Sequence, residues 1–259
     1  MAKIVLAHGF LGFGAVHHDQ RFNYFNEIEK LYRDKHGHDV FCPSVPPLGS
    51  LDKRSKELEE KIRARWLGST DEIYLVAHSM GGLDCRRVLA RNPDIAKRVK
   101  RLITISAPHY GTPLADMAQL PGVARALLPS SWLTQAIDDN AGAVGDLATR
   151  EEKQDTEVDG VDYLCIGCRN TRSILGSHFF SVASLAGRFG ATENDGVVSL
   201  RSASRTGREA DLLEIWPVDH GEALGWPSGH FGFEAVEAAH RAPPEHIARY
   251  ERVLAQLLK

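Results

Sequence analysis

The chain has 259 residues, 43% of them hydrophobic and 25% charged, with a formal net charge of -3. Length and composition fit a single globular domain with ample chain for a core, although length alone leaves two domains open. The near-neutral charge and lack of any basic block give no reason to expect a nucleic-acid partner, no apolar run is long enough to span a bilayer, and four scattered cysteines exclude a disulfide framework or a zinc site.

The opening MAKIVLAHGF runs straight into a strand pattern at 3–7 and lacks the apolar core and cleavage site of a secretory leader. This predicts a cytoplasmic protein, or a secreted one if a leader has been removed. The strand ends in His8-Gly9-Phe10-Leu11-Gly12-Phe13, a glycine-rich turn whose backbone N–H groups can face a ligand. The Phe10 N–H is the expected first oxyanion donor, and the His8 side chain is expected only to brace the loop. His17 and His18 follow, adjacent and without spaced carboxylates to complete a metal site.

Apolar residues at helical spacing (Phe22, Phe25, Ile28, Leu31) predict a first crossover helix over 22–31. A short second strand is expected at 39–42, closed by CPSVPPLGS. An amphipathic helix with alternating charge on a solvated outer face is expected over 51–67.

At 72–77 a third strand stops abruptly at His78-Ser79-Met80-Gly81-Gly82, and a helical pattern begins at once. Strand, sharp turn and helix together lift a serine hydroxyl above the carboxyl ends of a parallel sheet, which makes Ser79 the candidate nucleophile. The Met80 N–H is then the second oxyanion donor. Ala77 stands where the commonest form of this motif has glycine, a single methyl that the turn can absorb.

A fourth strand at 99–106 opens onto APHYGTP, and the alternation of strand and helix then breaks over 114–156. Short helical pieces at 114–128 and 132–137 predict a cap or lid, with Leu120, Val123, Leu127 and Leu128 as an apolar wall for an acyl chain. A fifth strand is expected at 161–166; Cys165 and Cys168, in CxxC spacing, lie at its end and read as buried thiols. A second apolar excursion, ILGSHFFSVASLAGRFG, could form the other side of the same pocket. Asn194-Asp195-Gly196 then places a carboxylate at a tight bend, the expected acid. The last strand, 212–218, delivers Asp219-His220-Gly221-Glu222. His220 is the expected general base, because Asp219 cannot easily orient its immediate neighbour's ring; His230 is its rival. A helix over 243–259 closes the chain, with His240 and His246 expected at its surface.

Taken together, HGFLGF, AHSMGG, SAPHYGTPLAD, NDGVVS and DHGEALGW resemble the triacylglycerol lipases and carboxylesterases of the α/β-hydrolase fold, in the bacterial true-lipase branch and its intracellular relatives. The resemblance spans nearly the whole chain. It implies a single domain, 1–259, built on a minimal, mostly parallel sheet of about six strands flanked by helices, with a cap or lid inserted at 114–156. It also implies a catalytic triad of Ser79, Asp195 and His220, an oxyanion hole from Phe10 and Met80, and no cofactor. His109 would break the serine, acid, histidine order of that family. The expected activity is cleavage of small-molecule or lipid carboxylic esters with apolar acyl chains through an acyl-enzyme, the lid touching a lipid interface transiently. An acyltransferase with the same triad and a binding protein without chemistry are the alternatives. Secreted relatives hold a calcium ion between two carboxylates. Glu222 could mimic one, but no Asp or Glu lies between Tyr163 and Ala191 to supply the other.

Overall fold

A computed structural model describes residues 1–10, 24–66, 68–119, 141–152, 155–170, 193–226 and 242–259. Six strands, β1 (Lys3–Ala7), β2 (Asp39–Phe41), β3 (Ile73–His78), β4 (Val99–Ile105), β5 (Asp162–Cys168) and β6 (Glu214–Trp216), form one sheet in the order β2-β1-β3-β4-β5-β6. Every neighbouring pair is parallel, so each connection must cross over a face of the sheet.

The described helices are α1 (Ile28–Lys30), continued by a π-helical turn at Leu31–Lys35, α2 (Leu51–Arg65), α3 (Met80–Arg91), α4 (Pro93–Ala96), α5 (Pro113–Ala118), α6 (Ala141–Asp146), α7 (Leu200–Ala203) and α8 (Pro244–Leu257). The period-2 alternation of the strands decides which helix covers which face. Ile4, Leu6, Val76, Ile103 and Ile166 point to one side, where Phe25 and Ile28 from the α1 region and Tyr250, Val253 and Leu257 of α8 bury them. Val5, Ala7, Leu75 and Ala77 point to the other, against Leu58 and Ile62 of α2 and Cys85, Val88 and Leu89 of α3. The result is a parallel sheet covered by helices on both faces, the architecture that the resemblance implies. No described helix is long and apolar enough to cross a membrane.

Three expectations need correction. The first crossover helix begins at Ile28, because the chain before it turns through positive φ at Asn26 (35°) and Glu27 (64°). On α2, Arg54 does not belong to the solvated face; it lies on the apolar stripe with Leu51 and Leu58 and is fully buried. His246 is buried against Tyr250, with ring centroids 4.8 Å apart, instead of lying on the surface of α8.

Several predicted features fall outside the described residues: His17, His18 and Phe22, the body of the 114–156 insertion including Leu120, Val123, Leu127 and Leu128, the apolar excursion over 173–190, and His230 and His240. Residues on either side of the predicted insertion are described, and they pair. Thr112 N–H donates to Leu147 C=O at 2.8 Å and Arg150 N–H to Tyr110 C=O at 3.0 Å. Asp116 accepts from the Thr149 N–H at 2.9 Å and from its hydroxyl at 2.5 Å.

Candidate active site

The central strand β3 ends at His78, and α3 begins at Met80, leaving Ser79 alone to turn the chain. It does so at φ 54° and ψ -132°, a conformation that L residues rarely adopt and that costs about 1–3 kcal/mol. Surrounding contacts hold it there: its N–H donates to Ile105 C=O at 3.0 Å and its C=O accepts from Gly82 N–H at 3.0 Å. The turn also needs small neighbours. A Cβ at Gly81 would lie 2.5 Å from the Ala7 carbonyl oxygen, and one at Gly9 would lie 2.7 Å from Ser79 Cβ. The first turn of α3 and the loop after β1 are therefore packed directly against each other, with Ser79 between them.

Asp195 and His220 meet although 25 residues separate them. The His220 Nδ1 donates to Asp195 Oδ2 at 2.7 Å, and the His220 backbone N–H donates to the Asp195 carbonyl at 3.0 Å. Asp195 is fully buried. Its other oxygen accepts from the N–H groups of Val197 (2.9 Å) and Val198 (2.7 Å), and the Ser106 hydroxyl donates to Oδ2. An ionised carboxylate only accepts, so the proton of neutral His220 sits on Nδ1 and Nε2 is its basic nitrogen. The ring of His220 packs at 4.5 Å on that of His78, the residue next to Ser79. Asp219 does separate work. Its Oδ1 accepts from the N–H groups of Gly221 and Glu222, while Glu222 Oε2 accepts from Asp219 N–H. Glu222 is thus engaged in the turn; among the described residues no group of three or more His, Cys, Asp or Glu is placed to hold a metal ion.

Met80 is fully buried at the first position of α3. It packs with Leu51, Leu83, Ala115, Val144 and Leu147, and Phe10 lies against the same cluster. Both expected oxyanion residues thus share an apolar patch with the two stems of the insertion. His109 is buried beneath the neighbouring loop, where its Nε2 meets the Thr104 hydroxyl at 3.2 Å.

Three contributors escape a reading by motif. Ser106 also has positive φ, 49°, and its only sequence signal is a serine closing an apolar strand. Tyr24 accepts the Gly9 N–H at 3.1 Å and meets His78 Nδ1 at 2.8 Å. Burial pushes the Tyr24 phenol above its usual range and the His78 imidazole well below its own, so both stay neutral beside His220. Arg54 and Asp84, at 0% and 1% exposure, form a buried pair with Nη2 to Oδ2 at 2.7 Å and Nε to Oδ2 at 3.0 Å. A charge on the apolar stripe of each helix was the available signal.

The profile of the alpha/beta hydrolase fold family matches residues 3–151. The chain is an alpha/beta hydrolase. Its relatives include triacylglycerol lipase 2 of Saccharomyces cerevisiae, 32% identical over 108 residues, a match covering 38% of this hydrolase and 33% of the yeast protein. The match thus spans about a third of that relative's length. Among solved structures, the mature Bacillus licheniformis lipase BlEst2 superposes with a TM-score of 0.66 at 23% identity, covering 92% of the hydrolase and 91% of that chain. The Staphylococcus hyicus lipase gives 0.62 at 16% identity, with 99% and 95% covered. At these identities the likeness is one of fold.

Proposed function

We propose that this hydrolase cleaves carboxylic esters with apolar acyl chains, using Ser79 as nucleophile, His220 as general base and Asp195 as the acid that orients it. The observation that carries the reading is the Asp195–His220 couple, joined at 2.7 Å and packed on the residue beside a serine in a strained turn. A name shared by the yeast relative and the structural neighbours, lipase, favours the same class of substrate.

In this scheme His220 Nε2 takes the Ser79 proton as the oxygen attacks the ester carbonyl. Negative charge gathers on the carbonyl oxygen, and the N–H groups of Phe10 and Met80 are the proposed donors to it; the first N–H groups of a helix lack intrahelical acceptors, which suits Met80 to the role. The imidazolium returns its proton to the leaving alcohol. Water, deprotonated by His220, then attacks the acyl-enzyme and frees the acid and Ser79. The apolar cluster around Met80, Leu83 and Leu147 supports an acyl-binding wall, and the segment 114–156 is proposed as the cap above it, able to meet a lipid interface.

Ser79→Ala is expected to lower p-nitrophenyl ester turnover by several orders of magnitude with the fold intact. A purified variant that kept most of its turnover would mean another nucleophile. A profile across short to long acyl esters, with and without an oil-water interface, distinguishes lipase from esterase.

A further inference from the structure

A small cavity lies at the end of the molecule opposite Ser79. Neighbouring strands all run parallel, so their amino ends gather at one edge of the sheet and the serine elbow stands at the other, the length of β3 away, or about 17 Å. The cavity has a volume of about 140 Å³ and sits between the end of α2, the short α4 and the start of β4. Ile62, Trp66 and Ile95, all buried, give it apolar walls. Arg63, Asp94 and Arg98 complete the lining with charge. Gly68 lines it without a side chain to close it, since an added Cβ there would meet nothing within 4 Å.

The two arginines differ in what holds them. Arg63 is committed: its guanidinium donates to Glu59 at 2.8 Å, to Asn92 at 3.1 Å and to Asp94 at 3.0 Å, and the Asp94 carboxylate is spent in that pair. Arg98 forms no ion pair with a described carboxylate. Its Nε donates to the Asp71 carbonyl at 3.4 Å, longer than an effective N–H···O bond, and the Asp71 carboxylate itself is held by Lys3 at 2.7 Å and Ser69 at 2.8 Å. The Arg98 Nη2 is buried with no acceptor among the described residues. A buried donor left without an acceptor is costly, and more so when it carries charge. A guanidinium in that position is matched by an anionic oxygen, best by a carboxylate meeting its planar fork.

The walls decide what that oxygen is attached to. At about 30 Å³ for each water-sized group, the cavity takes about four or five of them, the size of acetate or propionate. Inorganic phosphate matches the volume, but it would set charged oxygens against Ile62, Trp66 and Ile95 and beside the Asp94 carboxylate. We propose that this cavity is a binding site for short-chain carboxylates, the anion on the Arg98 guanidinium and the alkyl stem against Trp66 and Ile95. The site is independent of the reading of Ser79.

The full chain is titrated with sodium propionate, sodium phosphate and sodium chloride at matched ionic strength, and with 1-propanol, while NMR follows the Trp66 indole N–H and the Gly68 and Ile95 amides. Propionate is expected to shift these signals to saturation with a Kd of about 1 mM, phosphate to bind about tenfold more weakly, and chloride and 1-propanol to show no saturation. Arg98→Gln leaves the backbone bonds of that residue to Ile95 and Ile73 in place. It is expected to weaken propionate about tenfold or more with ester turnover unchanged. Phosphate binding as tightly as propionate would overturn the carboxylate assignment. Propionate shifts no different from those of chloride, or a Kd unchanged in Arg98→Gln, would overturn the site. Should Arg98→Gln fail to fold, the comparison of propionate with chloride and 1-propanol on the wild-type chain decides.

Discussion

Ser79 and Ser106 share an uncommon property, a positive φ without glycine, and each ends a central strand at the carboxyl edge of the sheet. Strain at such places persists only where the surroundings over-determine it. Gly81 is one such surrounding. The atoms its Cβ would meet, the carbonyl oxygens of Ala7 and His8 at 2.5 and 2.7 Å, are backbone and cannot swing aside. Gly81→Ala is therefore expected to lower stability by about 1–3 kcal/mol, read by denaturant unfolding. An unchanged midpoint would mean that the first turn of α3 can shift. In the proposed mechanism Ser106 would act through Asp195. Removing its hydroxyl takes one donor from the buried Asp195 carboxylate, and a hydrogen bond to a charged group contributes about 1.5–3 kcal/mol. Ser106→Ala is expected to reduce kcat about tenfold or more with KM little altered. Equal kcat in the variant would show that Val197, Val198 and His220 hold the acid without it.

At the scale of elements, the pair Arg54–Asp84 ties α2 to α3 and, through Arg54, to the His8 carbonyl and to the Pro46 carbonyl of the proline-rich loop. Burying two charges is costly, and removing one partner leaves the other uncompensated. Arg54→Met alone is expected to destabilise the fold by about 3–5 kcal/mol. Pairing it with Asp84→Leu should recover much of that stability but leave kcat below that of the wild type, because the His8 carbonyl still lacks its donor. Parallel recovery of stability and turnover would show the pair to be structural only.

The same pair marks the boundary of what a sequence reading reaches. All six strands are legible, because runs such as KIVLA and IYLVA are rich in β-formers and stop at glycine, proline or charge. The serine elbow is legible because it compresses strand, turn and helix into nine residues. The pairing of Asp195 with His220 agrees with their places after late strands. Arg54 is not legible in the same way. Its meaning depends on Asp84, 30 positions away on another helix, and alternating charge around it reads as a wet surface. Tyr24 is hidden for a similar reason: it acts on Gly9 and His78, and no local pattern names a partner 54 residues distant.

For the whole molecule, the buried histidines set the response to acid. Burial depresses His8 to about 3, His246 to about 4 and His78 well below its ordinary value. Below the unfolded value of about 6.5 the unfolded chain takes up protons at these positions and the folded one does not. Stability therefore falls as pH drops through about 6.5 and keeps falling toward the folded values. Asp84, raised to about 6 by burial against the pull of Arg54, works the other way between 3.8 and 6, one group against three. The melting temperature is expected to be several degrees lower at pH 5 than at pH 7.5. His246→Gln, which cannot take the proton, should narrow the gap; an unchanged gap would mean His246 is not part of the response.

The paired stems of the insertion carry a consequence for how such a molecule diversifies. Thr112 bonded to Leu147, and Asp116 bonded to Thr149, bring the departure and return of the chain together as at the neck of a bottle. What hangs from that neck can change in length and character without altering the sheet, the elbow or the acid turn below it. If the segment is the proposed cap, substrate preference and catalytic machinery are in this sense separately heritable: one can drift between descendants while the other is held still.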